Sequence, residues 1–123
     1  MTKKIIIIED DSVLQRALKD SLEAEKYEVI QAFDGGDGLK KIIKEKPDLI
    51  ILDLLMPVKP GEWLLMKLKE KNLIDNCPLI VFSMKKNSAD VGNCINQYKV
   101  KNYFCKSEYT LEKIVKKVKE LIT

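Results

Sequence analysis

The stretch Ile5-Ile6-Ile7-Ile8-Glu9-Asp10-Asp11-Ser12 reads as a short buried strand that runs into three carboxylates and then into a helix. Four consecutive apolar residues without alternation fit a strand covered on both faces, as in a parallel sheet. Beyond it, Leu14, Ala17, Leu18 and Leu22 recur at helical spacing to about Ala24. Ser12 followed by Gln15 predicts a capping box at the start of this helix. Asp11, just before it, is expected to act only as an N-cap.

The same strand-then-helix rhythm continues along the chain. A second strand is expected over 27–32, and the turn Asp34-Gly35-Gly36 opens a helix through Leu39, Ile42 and Ile43 that Pro47 closes. A third strand over 49–52 precedes a helix over 61–71 with Leu64, Leu65 and Leu68 on its inner face. A fourth strand over 79–82 follows Pro78, and a weakly patterned helix is expected from Asn87 to about Tyr98. A fifth strand spans 100–105, and a last helix from about Leu111 carries Ile114, Val115, Val118, Leu121 and Ile122. Five such units predict an α/β domain: a five-stranded, doubly wound parallel sheet with five helices. Right-handed crossovers leave few topologies for it.

Composition narrows the chemistry. The chain has 123 residues, 46% apolar and 33% charged, which suits one globular domain over 1–123. No apolar run approaches the roughly 20 residues of a membrane span, and no signal peptide is legible, so a cytoplasmic protein with no membrane contact is expected. Histidine is absent, which removes imidazole-based triads and imidazole metal sites. Cys77, Cys94 and Cys105 form no C-x-x-C pair and are expected as free thiols. Arg16 is the only arginine among 22 basic residues, and the lysines alternate with acids at a net charge of +3. Groove reading of bases favours bidentate arginine, so no direct nucleic acid binding is expected.

In open α/β sheets the binding crevice lies beyond the carboxyl ends of the strands. Glu9, Asp10 and Asp11 follow the first strand, Asp53 the third, Ser83 the fourth and Lys106 the fifth. Each alone has an ordinary explanation as a cap, a turn residue or a solvated lysine. Placed together on one sheet edge, they form a set suited to phosphoryl transfer. Two carboxylates 4 Å apart at an effective dielectric of ~20 repel by roughly 4 kcal/mol. A hard divalent cation such as Mg²⁺ with oxygen ligands offsets that repulsion. Lys106 and Ser83 would face a transferred phosphoryl group, and a carboxylate would be its nucleophile.

These residues resemble the receiver domain of bacterial two-component response regulators, over the whole chain. The pattern comprises Glu9-Asp10, then Asp53-Leu54-Leu55-Met56-Pro57, Gly61 opening a helix, Ser83, and Lys106 with Tyr103 three residues earlier. The resemblance implies the flavodoxin-like strand order 2-1-3-4-5. It implies phosphorylation of Asp53 by a sensor histidine kinase or phosphotransfer protein. It further implies Mg²⁺ held by Asp10, Asp53 and the Leu55 backbone carbonyl, with Glu9 acting through water. Ser83 and Lys106 would bind phosphoryl oxygens. Ser83 and Tyr103 would together switch the surface of the fourth helix, fifth strand and fifth helix toward a downstream protein target, with homodimerisation on phosphorylation as a further option. The domain would be a phosphoryl acceptor rather than an enzyme, with at most self-catalysed gain and loss of the group. No output domain is expected in a chain ending at Thr123.

Several positions depart from the family pattern. Ser107 stands where proline, often with a cis bond, usually follows the lysine. Met84 stands where a small residue usually follows the switch hydroxyl, and is expected to narrow access to Asp53. Pro60 replaces the usual acid before Gly61. Leu55 and Lys85 are expected to flank the path of attacking water. Trp63, the sole tryptophan, is expected at the rim near the site, either as an ordinary packed aromatic or as a partner contact. A flavin or dinucleotide binder would want a glycine-rich loop after the first strand, where this chain has three acids. An aspartate-nucleophile phosphatase would carry its nucleophile after the first strand rather than the third. A degenerate receiver that acts without phosphorylation would not need the complete acid, hydroxyl and lysine set.

Overall fold

Parallel pairing joins five strands, β1 (Lys4–Ile8), β2 (Glu28–Ala32), β3 (Leu49–Leu52), β4 (Leu79–Ser83) and β5 (Asn102–Cys105), in the order β2-β1-β3-β4-β5. Between and after them lie helices α1 (Ser12–Ala24), α2 (Gly35–Glu45), α3 (Gly61–Glu70) and the C-terminal helix, here α4 (Leu111–Ile122). The computed structural model describes residues 2–75, 77–84, 92 and 96–122. Most of the helix expected from Asn87 to Tyr98 lies outside the described residues, as do Cys94 and Lys85; Gly92 and residues 96–98 are helical.

The central strands are buried on both faces, and successive side chains sort into two cores. Ile6, Ile8, Ile50, Leu52, Leu79 and Val81 pack with Ile42 of α2 and with Leu64, Leu65 and Leu68 of α3. Ile5, Ile7, Leu49, Ile51, Ile80 and Phe82 pack on the other side with Leu18 and Leu22 of α1 and Ile114 and Val118 of α4. The result is a three-layer doubly wound domain with every strand's carboxyl end on one edge.

Two expectations about chain boundaries shift. β5 begins at Asn102 rather than Val100, because only from Asn102 does the backbone pair with Ile80 of β4. The capping box at Ser12 is not formed. Asp11 caps α1, its side chain accepting from the backbone N–H of Val13 and Leu14. Gln15, expected to reach back to Ser12, instead turns fully inward, because the carbonyls it meets are buried and need donors.

Candidate phosphoryl-acceptor site

Backbone hydrogen bonds carry the sheet one residue beyond the ends of three strands, and those residues are functional candidates. Glu9 N–H donates to Ala32 O at 3.1 Å, Asp53 N–H to Ile8 O at 3.0 Å, and Lys106 N–H to Ser83 O at 2.9 Å. Each side chain therefore leaves a backbone held by its neighbouring strand, not a free loop. Ser83, the last residue of β4, is fully buried.

The carboxylates converge. One oxygen from each of Glu9, Asp10 and Asp53 lies within 4.8 Å of the other two. Glu9 and Asp53 are buried, at 3% and 4% exposure, whereas Asp10 faces solvent. Asp53 Oδ1 accepts from Leu55 N–H at 3.2 Å, and Glu9 Oε1 accepts from Asp11 N–H at 3.1 Å. The Lys106 ammonium lies 2.6 Å from Glu9 Oε2 and 3.4 Å from Asp53 Oδ2.

The electrostatics follow from this crowding. Burial, reinforced by the Asp53 charge, pushes the Glu9 carboxyl up to about 7, although its bonds to Lys106 and Asp11 pull the other way. Burial alone would lower Lys106. Its hydrogen bond to Glu9 and the charges of Asp53 and Glu9 together outweigh that and raise it above an ordinary lysine. Two buried carboxylates and a third at the rim, against one ammonium, leave an excess of negative charge. An all-oxygen donor set of that charge fits Mg²⁺.

Two glycines let the backbone close around Asp53. A Cβ on Gly61 would stand 2.6 Å from both Asp53 O and Leu54 Cα, and Gly61 N–H donates to Leu54 O at 3.2 Å. A Cβ on Gly35 would stand 2.2 Å from Lys59 O, the oxygen that accepts from Gly35 N–H at 3.0 Å. The loop after β3 is thereby latched to the start of α2, with Lys59 held at φ 52°.

The remaining expected site residues fall nearby. Leu55 and Met84 are exposed, at 47% and 51%. Tyr103 is half-buried in β5 opposite Val81 and packs on the α2–α3 side of the sheet. Pro60 is the N-cap of α3 without a side-chain capping bond. No cis peptide bond occurs among the described residues, the Lys106–Ser107 bond included. Trp63 is half-buried against the core, with the Lys59 and Lys67 ammonium groups 4.9 and 5.9 Å from its ring centre. Cys77 and Cys105 are free thiols, and no helix among the described residues is long and apolar enough to cross a membrane.

Sequence reasoning missed the role of Gln15 and the direct Glu9–Lys106 pair. Gln15 did leave a signal, since it shares the inward face of α1 with Leu18 and Leu22 at positions three and seven beyond it.

Comparison with known proteins supplies the family. A family model described as the response regulator receiver domain matches residues 5–119. The chain is 36% identical over 90 residues to the alkaline phosphatase synthesis transcriptional regulatory protein PhoP of Bacillus subtilis (strain 168), covering 73% of this chain and 37% of that protein. It is 37% identical over 82 residues to the sensor histidine kinase TmoS of Ectopseudomonas mendocina, covering 67% of this chain but 8% of that protein. The chain thus spans well under half the length of these two relatives. Among solved structures it resembles a CheY-like response regulator receiver domain protein from Methanospirillum hungatei JF-1, at 28% identity and TM-score 0.87, over 98% of this chain and 93% of that one. It also resembles the response regulator TrrA of Thermotoga maritima in complex with Mg(2+)-BeF, at 25% identity and TM-score 0.82, over 98% of this chain and 100% of that one. This chain belongs to the response regulator receiver domains, the modules that carry two-component phosphorelay signals by aspartate phosphorylation.

Proposed function

We propose that Asp53 is the phosphoryl acceptor and that Asp10, Asp53 and the Leu55 carbonyl hold Mg²⁺ beside it, with Glu9 contributing through water. The observation that carries this reading is the buried Asp53 carboxylate, fixed by Leu55 N–H, faced by Lys106 and grouped with two further acids. The solved complex of TrrA with Mg(2+)-BeF supports a metal at such a site. Bound Mg²⁺ would neutralise negative charge on the phosphoryl oxygens.

The chain's own residues do the rest. An Asp53 oxygen forms the new P–O bond while the P–N bond of a phosphohistidine donor breaks, the electron pair returning to the donor imidazole. The strand-end hydrogen bonds of Asp53 and Lys106 keep nucleophile and ammonium in place before the donor arrives. Lys106 takes up charge on the incoming group, and the Ser83 hydroxyl donates to it. Tyr103 then moves with Ser83, shifting a pre-existing equilibrium in the surface of the helix before β5, β5 itself and α4.

The donor is a sensor histidine kinase or phosphotransfer protein, and the output is a contact with a downstream protein rather than with nucleic acid. Homodimerisation on phosphorylation is one form that output takes in this reading. Residues 1–123 act as a single cytoplasmic domain whose own chemistry is limited to gaining and losing the phosphoryl group. Incubation with acetyl phosphate and Mg²⁺ followed by intact mass measurement tests the reading. One phosphoryl group is expected on the wild type, and none on Asp53→Asn or without metal. Persistence of the modification in Asp53→Asn overturns the assignment.

A further inference from the structure

We infer that Gln15 is the positioning residue for the acid pair: it sets the affinity of the Glu9–Asp10–Asp53 cluster for a divalent cation without touching the cation. The inference rests on the metal reading above and adds a residue that the reading does not use.

Gln15 is fully buried, an unusual place for a primary amide. Its Nε2 lies 2.9 Å from Ile7 O, 3.1 Å from Glu9 O and 2.7 Å from Ala32 O. Three carbonyls accept from the two hydrogens of one amide, so at least one hydrogen is bifurcated between two of them. These carbonyls belong to β1, to the first residue beyond it and to the end of β2. One side chain from the first turn of α1 thus ties together the two strands and the loop that carries Glu9 and Asp10.

The amide is itself oriented. Gln15 Oε1 accepts from Gln31 Nε2 at 3.2 Å, which fixes which end of the amide faces the three carbonyls. Gln31 O accepts from Lys41 Nζ at 2.6 Å, and that ammonium also pairs with Asp37 at 2.9 Å. A polar chain therefore runs from the surface of α2 through β2 to the backbone beneath Glu9. The Glu9 carboxylate has little other freedom, since its two oxygens take Asp11 N–H and Lys106 Nζ. With its main chain pinned by Gln15, the carboxylate can turn but not retreat. Groups hydrogen-bonded directly to ligating side chains characteristically change metal affinity by about 10- to 100-fold when removed; Gln15, which holds the Glu9 main chain one step further back, is expected at the low end of that range.

The test is Mg²⁺ binding to the full chain, with no phosphoryl donor, by isothermal titration calorimetry at 15 °C. Gln15→Met keeps the side-chain length and removes the donors; Mg²⁺ affinity is expected to fall about tenfold. Val118→Ala, a core truncation on α4, is the control for stability loss alone and is expected to bind Mg²⁺ as wild type does. Gln31→Leu, which frees the amide while sparing its three bonds, is expected to weaken binding by a smaller factor, and it decides the matter should Gln15→Met not fold. Wild-type affinity in Gln15→Met, or in Gln31→Leu where that variant decides, overturns the inference, as does an equal loss in Val118→Ala. Absence of Mg²⁺ binding to the wild type would instead overturn the metal reading on which it stands.

Discussion

Lys106 and Glu9 are joined by a 2.6 Å contact across 97 residues of chain, and this pair ties the last strand to the first at the edge where Asp53 sits. The lysine holds down two carboxylates that repel each other.

Replacing Lys106 by methionine therefore leaves two buried acids without their ammonium. In metal-free protein at pH 8, Lys106→Met should lose about 2–4 kcal/mol of stability, read by urea unfolding. Added Mg²⁺ should recover much of the loss, because a divalent cation offsets the same charge. Phosphoryl uptake from acetyl phosphate should fall at least ~10-fold even with metal present. Unchanged stability without metal would mean that the ion pair carries no weight.

The Glu9 carboxyl offers a pH signature. Its folded value of about 7, set chiefly by burial, stands above the ordinary 4.5. A group that holds its proton more tightly when folded adds stability that is complete below pH 4.5 and disappears as pH rises through about 7. Glu9→Gln mimics the protonated form at every pH. In metal-free melts, the wild-type Tm minus the Glu9→Gln Tm should fall by several degrees between those limits. A flat difference across that window would contradict the burial argument.

Gly61 has no room for a side chain against Asp53 O and Leu54 Cα. Gly61→Ala must push the acceptor loop away at a cost of about 2–3 kcal/mol, lowering Tm by roughly 5–15 °C. Gly35→Ala should act in the same direction, since it strikes the Lys59 carbonyl from the other side. Tm values within a degree of wild type would show that the loop yields without strain.

Leu55 and Met84 extend exposed apolar side chains from the loops after β3 and β4. We propose that in this position they shield the phosphorylated Asp53 from attacking water. Met84→Ala and Leu55→Ala should each shorten the lifetime of the phosphorylated state severalfold, followed by mass spectrometry after removal of acetyl phosphate. Equal lifetimes in all three proteins would remove both residues from that role.

Much of this architecture was legible in residue order. The apolar runs 5–8, 49–52 and 79–82 announced buried parallel strands because only strands covered on both faces lose alternation. Once the strands were placed, Glu9, Asp53, Ser83 and Lys106 fell at their carboxyl ends, and the family resemblance supplied a chemistry for them. The β5 start and the cap of α1 were less legible, since both depend on which neighbour offers a hydrogen-bond partner.

By itself, then, the sequence determined the αβ rhythm, the buried parallel strands and the residues that stand at their carboxyl ends. All of these follow from local periodicity and from the rule that places sites beyond strand ends. Only the tertiary structure decided that Gln15 turns from the Ser12 cap to three buried carbonyls, that Lys106 grips Glu9 more closely than Asp53, and that Gly35 latches onto Lys59. Those choices depend on which distant segments come within 3 Å and on the cost of leaving a buried donor or acceptor unpaired. A pattern of apolar and polar positions along one chain does not encode that proximity.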